Sequence, residues 1–239
     1  QRNLVDPLTG LGNARYLQQK MLDSLRQLES RGGALCYLLI GLDDVQHLRG
    51  QHGDEFYNEL LRSVARRLQQ HVRPLDVLTR LDDNHFGLLT LLTDLQECSP
   101  TSFKRLHEGL NLKAFKTSEG FISLKAGISL VGMDAQSLPV TPQTLLERAN
   151  TLLPDACNSG RINAVRLPKA FRLEAKEVWI SRNEATGELV LRPKLDERAR
   201  RREIDDLIRE IREAPATDEF IPPRDDADRP DPFGGESDL

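Results

Sequence analysis

Ala34-Leu35-Cys36-Tyr37-Leu38-Leu39-Ile40-Gly41-Leu42 is a nearly continuous apolar run, bounded by Gly32-Gly33 before it and Asp43-Asp44 after it. A segment with no polar face to turn toward water predicts a central strand covered on both sides. Upstream, Leu17, Met21, Leu25 and Leu28 recur at helical spacing between Asn13, a suitable cap, and Arg31. Downstream, Phe56, Leu60, Leu61, Val64, Leu68 and Val72 mark a second amphipathic helix, broken off at Pro74. Val77 to Leu81 and His85 to Leu92 are β-prone runs separated by Asp82-Asp83-Asn84, whose side chains favour tight turns, so a hairpin is expected there.

A helix is expected after Pro100, followed by an alternating strand from Phe121 to Gly132 with Ile122, Leu124, Ala126, Ile128 and Leu130 on one face. Thr141 to Asn158 reads as a helix that Pro154 should kink, and Ala164 to Leu167 as a short closing strand. The order of helices and strands predicts one α/β domain over residues 1–168. Val178 to Ile180 and Leu189 to Leu191 suggest a small hairpin extension within 169–194, carrying the only tryptophan, Trp179. Ile204, Leu207, Ile208 and Ile211 give an apolar stripe on a charged helix over 195–213. Residues 214–239 hold five prolines, eight acids and two bases, too little apolar surface to offset chain entropy, and are expected to be disordered.

The net charge of the 239-residue chain is −4; the last 26 residues carry −6, which leaves the remainder at +2. A nearly neutral body argues against a nucleic-acid polymer as partner. Cys36, Cys98 and Cys157 are far apart and form no CxxC pair, so buried thiols in a reducing cytoplasm are expected, without a zinc site. No apolar run approaches the roughly 20 residues that span a bilayer, and no secretory signal opens the chain.

Asp6-Pro7-Leu8-Thr9-Gly10-Leu11-Gly12-Asn13 resembles the DxLTGLxN opening of GGDEF domains, and Arg80-Leu81-Asp82-Asp83-Asn84-His85-Phe86 falls where that family carries RxGGDEF. Lys125-Ala126-Gly127-Ile128 with Ser129 is loosely similar to its SxG strand, and Ser159-Gly160-Arg161-Ile162-Asn163 to its closing segment. The resemblance covers residues 6–168. It implies a palm-like fold of the nucleotidyl cyclases, a central, mostly antiparallel sheet flanked by helices, in a cytoplasmic setting, with room for a sensor or membrane segment upstream.

Active members of the family condense GTP using two divalent ions held by two carboxylates. The resemblance places the first carboxylate at Gly41 and the second in the hairpin, where Asn84 and His85 occupy the acidic positions. Asp82 and Asp83 replace the two glycines that let the backbone approach phosphate, and each acid opposes a triphosphate by about 1 kcal/mol or more even at high dielectric. The guanine-reading positions hold Arg49 and Asn58, and the late lysine is Cys157. No catalytic residue, no metal and no cofactor are therefore expected. Asp43, Asp44, Asp54 and Glu55 are acidic but more suited to a strand end and a helix start than to a cation. His85 is expected to lack a placed partner.

Five residues separate Arg73-Pro74-Leu75-Asp76 from Asp82, matching the family's RxxD inhibitory site in composition and spacing. The resemblance implies cyclic di-GMP as ligand, held by Arg73 and Asp76 with Arg105 as an addition. Guanidinium suits phosphate or the guanine O6/N7 edge, and carboxylate suits guanine N1 and N2 hydrogens. A structural role stays open, in which Arg73 closes a helix and Asp76 caps a turn. The expected function is a catalytically inactive cyclic di-GMP receptor signalling to a protein partner through the C-terminal hairpin, helix or tail. The alternative is an interaction module indifferent to nucleotide, and a homodimer is compatible with either.

Overall fold

Asn13 leaves the opening loop with extended backbone and its side chain accepts from the Tyr16 amide, satisfying one orphan donor at the start of α1 (Ala14–Arg31). α1 stops at Gly32, whose φ of 71° suits a residue without Cβ. The chain then enters β1 (Ala34–Asp43), buried along all but its last residue. α2 (Val45–His52) and α3 (Asp54–Gln70) follow, with Asp54 and Glu55 in the first turn of α3 where acids suit the helix dipole. β2 (Val77–Arg80) and β3 (His85–Leu92) make the expected hairpin. α4 (Lys104–Asn111), β4 (Phe115–Thr117), β5 (Gly120–Ile122), β6 (Lys125–Asp134), α5 (Pro142–Ser159) and β7 (Ile162–Arg166) complete this part. The computed structural model describes residues 3–170, 178–183, 186–187, 189–193, 201–202 and 204–209.

The sheet runs β2-β3-β1-β6-β7, so the opening apolar run lies at its centre. β1 pairs antiparallel with β3 and with β6, β2 pairs antiparallel with β3, and β7 lies parallel to β6. Strand alternation sends Cys36, Leu38 and Ile40 into a core with Leu60, Leu61 and Leu106 of α3 and α4. Leu35, Tyr37 and Leu39 go the other way, against Leu17 and Met21 of α1 and Leu145 and Ala149 of α5. Three layers result, and burial of each such leucine contributes about 1.5–3 kcal/mol.

Four details differ from the sequence reading. The strand expected from Phe121 to Gly132 is divided: β5 pairs with β4 in a separate ribbon, and only β6 joins the main sheet. Residues 126–133 of β6 are buried on both faces, because helices cover the sheet on each side, so the expected one-sided pattern is incomplete. The α2 helix was not anticipated; Val45 is its only buried residue, which leaves almost no periodic signal. α5 continues as one helix through Pro154.

α5 lies directly on β6. A Cβ on Gly127 would stand 2.4 Å from the Cys157 backbone nitrogen, so only glycine permits this approach. Cys157 is thereby held beside the end of β1. The chain divides into two units, Gln1–Phe171 and Arg172–Leu239. In the second, β8 (Val178–Arg182) and β9 (Leu189–Pro193) pair antiparallel, and residues 201–202 and 204–209 are helical. The remainder of the helix expected over 195–213, and the tail 214–239, lie outside the described residues.

Candidate functional site

The opening loop builds one wall of the site. Asp6 Oδ2 accepts from the Thr9 amide at 2.9 Å and the Thr9 hydroxyl at 2.6 Å, and Asp6 Oδ1 accepts from Arg80 Nη1 at 2.9 Å. Gly12 O accepts from the Arg80 amide, pinning the loop to β2 just before the hairpin turn. Burial by itself would raise the Asp6 carboxyl, but the Thr9 bonds and the Arg80 charge outweigh it and hold it below 3.8. The stabilisation is thus complete above the unfolded value of 3.8 and is lost as pH falls through the lower folded value. Asp6→Asn is expected to cost about 1–3 kcal/mol at neutral pH and to flatten the acid limb of stability. Urea denaturation at neutral and acid pH checks this; a variant that tracks the native protein throughout refutes it.

At the turn, Asp82 Oδ1 accepts from the Asn84 amide at 3.0 Å and lies 2.7 Å from His85 Nδ1. His85 therefore has a partner, contrary to expectation, because the turn folds Asp82 back over it. Burial would raise the Asp82 carboxyl, but the bonds from His85 and the Asn84 amide bring it below its ordinary value. Asp83 is held from two sides, by Arg49 Nη1 at 3.2 Å and Arg80 Nη2 at 3.4 Å, while the Tyr57 hydroxyl donates to its carbonyl. Arg49 also pairs with Asp54 through Nε at 2.6 Å and stands over the Tyr57 ring. Burial first, then the Asp83 charge, pushes the Tyr57 phenol up to about 12. Asn58 lies one residue along α3 and makes no side-chain hydrogen bond among the described residues.

Gly41 pairs with His85 across β1 and β3. A Cβ at Gly41 would meet Leu153 Cδ2 at 3.0 Å and Cys157 Sγ at 3.2 Å, so its side-chain space is already filled from α5. Asp43 is near Lys125 Nζ at 3.8 Å, and Asp44 precedes α2 in the left-handed region with φ 58°. Among the described residues no three His, Cys, Asp or Glu side chains are grouped to hold a metal ion.

Arg73 and Asp76 lie on a turn beyond α3, which ends at Gln70, so Arg73 does not close that helix as the structural alternative had it. The Asp76 carboxylate accepts from the Arg73 amide at 2.8 Å and from the Thr90 hydroxyl at 2.7 Å, and is 3.6 Å from Arg73 Nε. Arg73 Nη2 donates to Thr90 Oγ1 at 2.7 Å and to Leu91 O at 3.2 Å. A carboxylate has about four acceptor positions, and two are in use, the Arg73 Nε contact at 3.6 Å being an ion pair rather than a hydrogen bond. Asp76 thus caps the turn and keeps acceptor capacity. Arg73, Asp76 and Arg105 line one cavity of about 410 Å³ with His71 and Thr90. A second, of about 450 Å³, opens on the other side of Arg73 and Asp76 against Pro74 and the fully exposed Leu75. Burial, then Lys113, Arg67 and Arg105, lower the His71 pKa. Thr90 and His71 were not anticipated; a threonine inside the apolar run of β3 was the available signal for the first.

A mixed sheet flanked by helices, entered through a loop pinned to a central hairpin, is the palm-like architecture of nucleotide cyclase domains. Residues 3–163 match the family model "Diguanylate cyclase, GGDEF domain", and the chain belongs to that family. Response regulator PleD of Caulobacter vibrioides is 31% identical over 163 residues, which are 68% of this chain and 35% of PleD. The chain thus matches about a third of that relative's length. The FimX GGDEF domain from Pseudomonas aeruginosa superposes with a TM-score of 0.61 at 20% identity, over 69% of this chain and 99% of that one. The GGDEF domain of DgcB from Caulobacter crescentus, solved in complex with c-di-GMP, gives 0.58 at 17% identity over 69% and 94%. Among the described residues no helix is long and apolar enough to cross a membrane.

Proposed function

We propose that this GGDEF domain does not synthesise cyclic di-GMP but binds it, through Arg73, Asp76 and Arg105, and passes the occupancy of that site to a protein partner. The observation that carries the reading is the convergence of those three side chains, from a turn and from α4, on one cavity. Arg73 and Arg105 offer cationic donors to phosphate or to the guanine edge, and Asp76 retains acceptor capacity for guanine N–H groups. The second cavity beside Leu75 adds apolar surface for a base to stack on.

The absence of catalysis rests on separate failures. Gly41 has no carboxylate and no room for one, Asn84 and His85 supply none, and Asp83 with Arg49 fills the region from which a nucleotide would be read. Arg49, Asn58, Asp82, Asp83, Asn84, His85 and Gly41 are then residues of a former active site that holds no metal. Titration calorimetry with cyclic di-GMP, set beside a turnover assay with GTP and magnesium, tests both halves. Heat of binding at about 50 µM ligand and no product are expected; silence in the first or product in the second overturns the corresponding half. A nucleotide-independent docking role is the second reading, favoured by the exposed Ile180 and Leu189 on the β8–β9 hairpin. It predicts partner binding that ignores cyclic di-GMP.

A further inference from the structure

On the face of the sheet covered by α1 and α5, a cavity of about 240 Å³ lies between those helices and the foot of the hairpin. Its walls are apolar, formed by Leu17, Leu39, Leu81 and Leu146. Tyr37 also lines it and is 1% exposed; its hydroxyl makes no hydrogen bond among the described residues and is not sealed off, so it opens on the cavity. Buried tyrosine hydroxyls ordinarily find a partner, and the cavity is where one can be supplied.

The other polar groups at this cavity are also unspent. Gln18 of α1 and Asn150 of α5, both exposed, stand at its rim with carboxamides that make no hydrogen bond among the described residues. Pro154 supplies no N–H to the Asn150 carbonyl, which leaves that backbone acceptor without its helical donor as well. His85 Nδ1 lies 2.7 Å from Asp82 Oδ1, which leaves Nε2 as the ring nitrogen without a hydrogen-bond partner among the described residues. No lysine or arginine lines the cavity, and Asp82 adds a carboxylate to its edge. An anion is therefore opposed, whereas a flat neutral molecule bearing paired donors and acceptors meets apolar walls and carboxamides able to bind it in bidentate fashion.

We propose that this cavity, formed where Tyr37, Gln18, Asn150 and the Asp82-His85 pair meet, binds a neutral heteroaromatic molecule of nucleobase or nucleoside class. The site shares no lining residue with either cavity beside Arg73. Two of its polar groups belong to the hairpin turn, so an occupant is in direct contact with that loop.

The test uses the full chain, with adenine, hypoxanthine, cytosine and adenosine as probes and AMP as the anionic control, followed by calorimetry and by the imidazole signals of His85 in NMR spectra. At least one neutral probe is expected to bind with Kd below roughly 1 mM and to move those signals. Tyr37→Phe deletes only an unpaired hydroxyl, should fold as the native protein does, and is expected to weaken binding about tenfold, as is Asn150→Ala. Arg73→Ala should leave this binding unchanged while affecting cyclic di-GMP, which separates failure here from failure of the receptor reading. No binding by any neutral probe, AMP bound more tightly than adenosine, or affinities indifferent to both cavity variants would each overturn the proposal.

Discussion

Arg73→Ala is expected to lower cyclic di-GMP affinity by about 100-fold or more while leaving the domain folded. Truncating one member of a hydrogen-bonded charged pair typically costs about 2–5 kcal/mol, and each 1.4 kcal/mol is tenfold in affinity. The side chain gives two bonds to Thr90 and Leu91 and stands against Asp76, but it is 57% exposed, so its removal should cost the fold much less than it costs the ligand. Asp76→Asn keeps an oxygen for the Arg73 amide yet offers a neutral acceptor to guanine, and should show an intermediate loss. Calorimetry paired with thermal denaturation separates the two effects. An Arg73→Ala protein with native affinity removes the RxxD turn from the binding site.

Gly41→Asp is expected to destabilise the domain and to restore no cyclase activity, even combined with acidic residues at Asn84 and His85. The Cβ alone presses against Leu153 and Cys157 at 3.0 and 3.2 Å, and overpacking of this kind costs about 1–3 kcal/mol. The carboxylate is then forced among apolar side chains without a paired charge, which adds to the penalty. Moving α5 outward would relieve the clash only by opening its close packing of the Cys157 backbone against Gly127. Chemical denaturation should show a lower midpoint with an unchanged slope. A Gly41→Asp protein of native stability would mean that α5 yields readily and that the space can be reclaimed.

The sequence made β1 legible because a strand covered on both faces must be apolar at every position, as Ala34 to Leu42 is. It also made the hairpin legible, since Asp82, Asp83 and Asn84 are turn formers between two β-prone runs. Short elements without a repeating burial pattern were not legible: Lys116 is exposed between buried Phe115 and Thr117 in β4, and three residues carry no period. At the site, the identities of Gly41, Asn84 and His85 could be read against the family pattern. What occupies the vacated space could not. Arg49 meets Asp83 across 34 positions, and Leu153 reaches Gly41 only because α5 lies close on β6. Cys36 and Cys98, distant in sequence, share the same core, where the Cys98 thiol donates to the Leu35 carbonyl, and burial raises the Cys36 thiol.

The clasp of Arg49 with Asp54, Asp83 and Tyr57 bears on how such a domain can change over generations. Removing Arg49 would leave Asp54 without its partner at 2.6 Å and Asp83 with Arg80 alone, whereas removing the Asp83 side chain would leave Arg49 still held by Asp54. The two ends of the clasp are therefore unequal: Asp83 can change at small cost and Arg49 cannot, so drift in this loop is expected to run through Asp83 first.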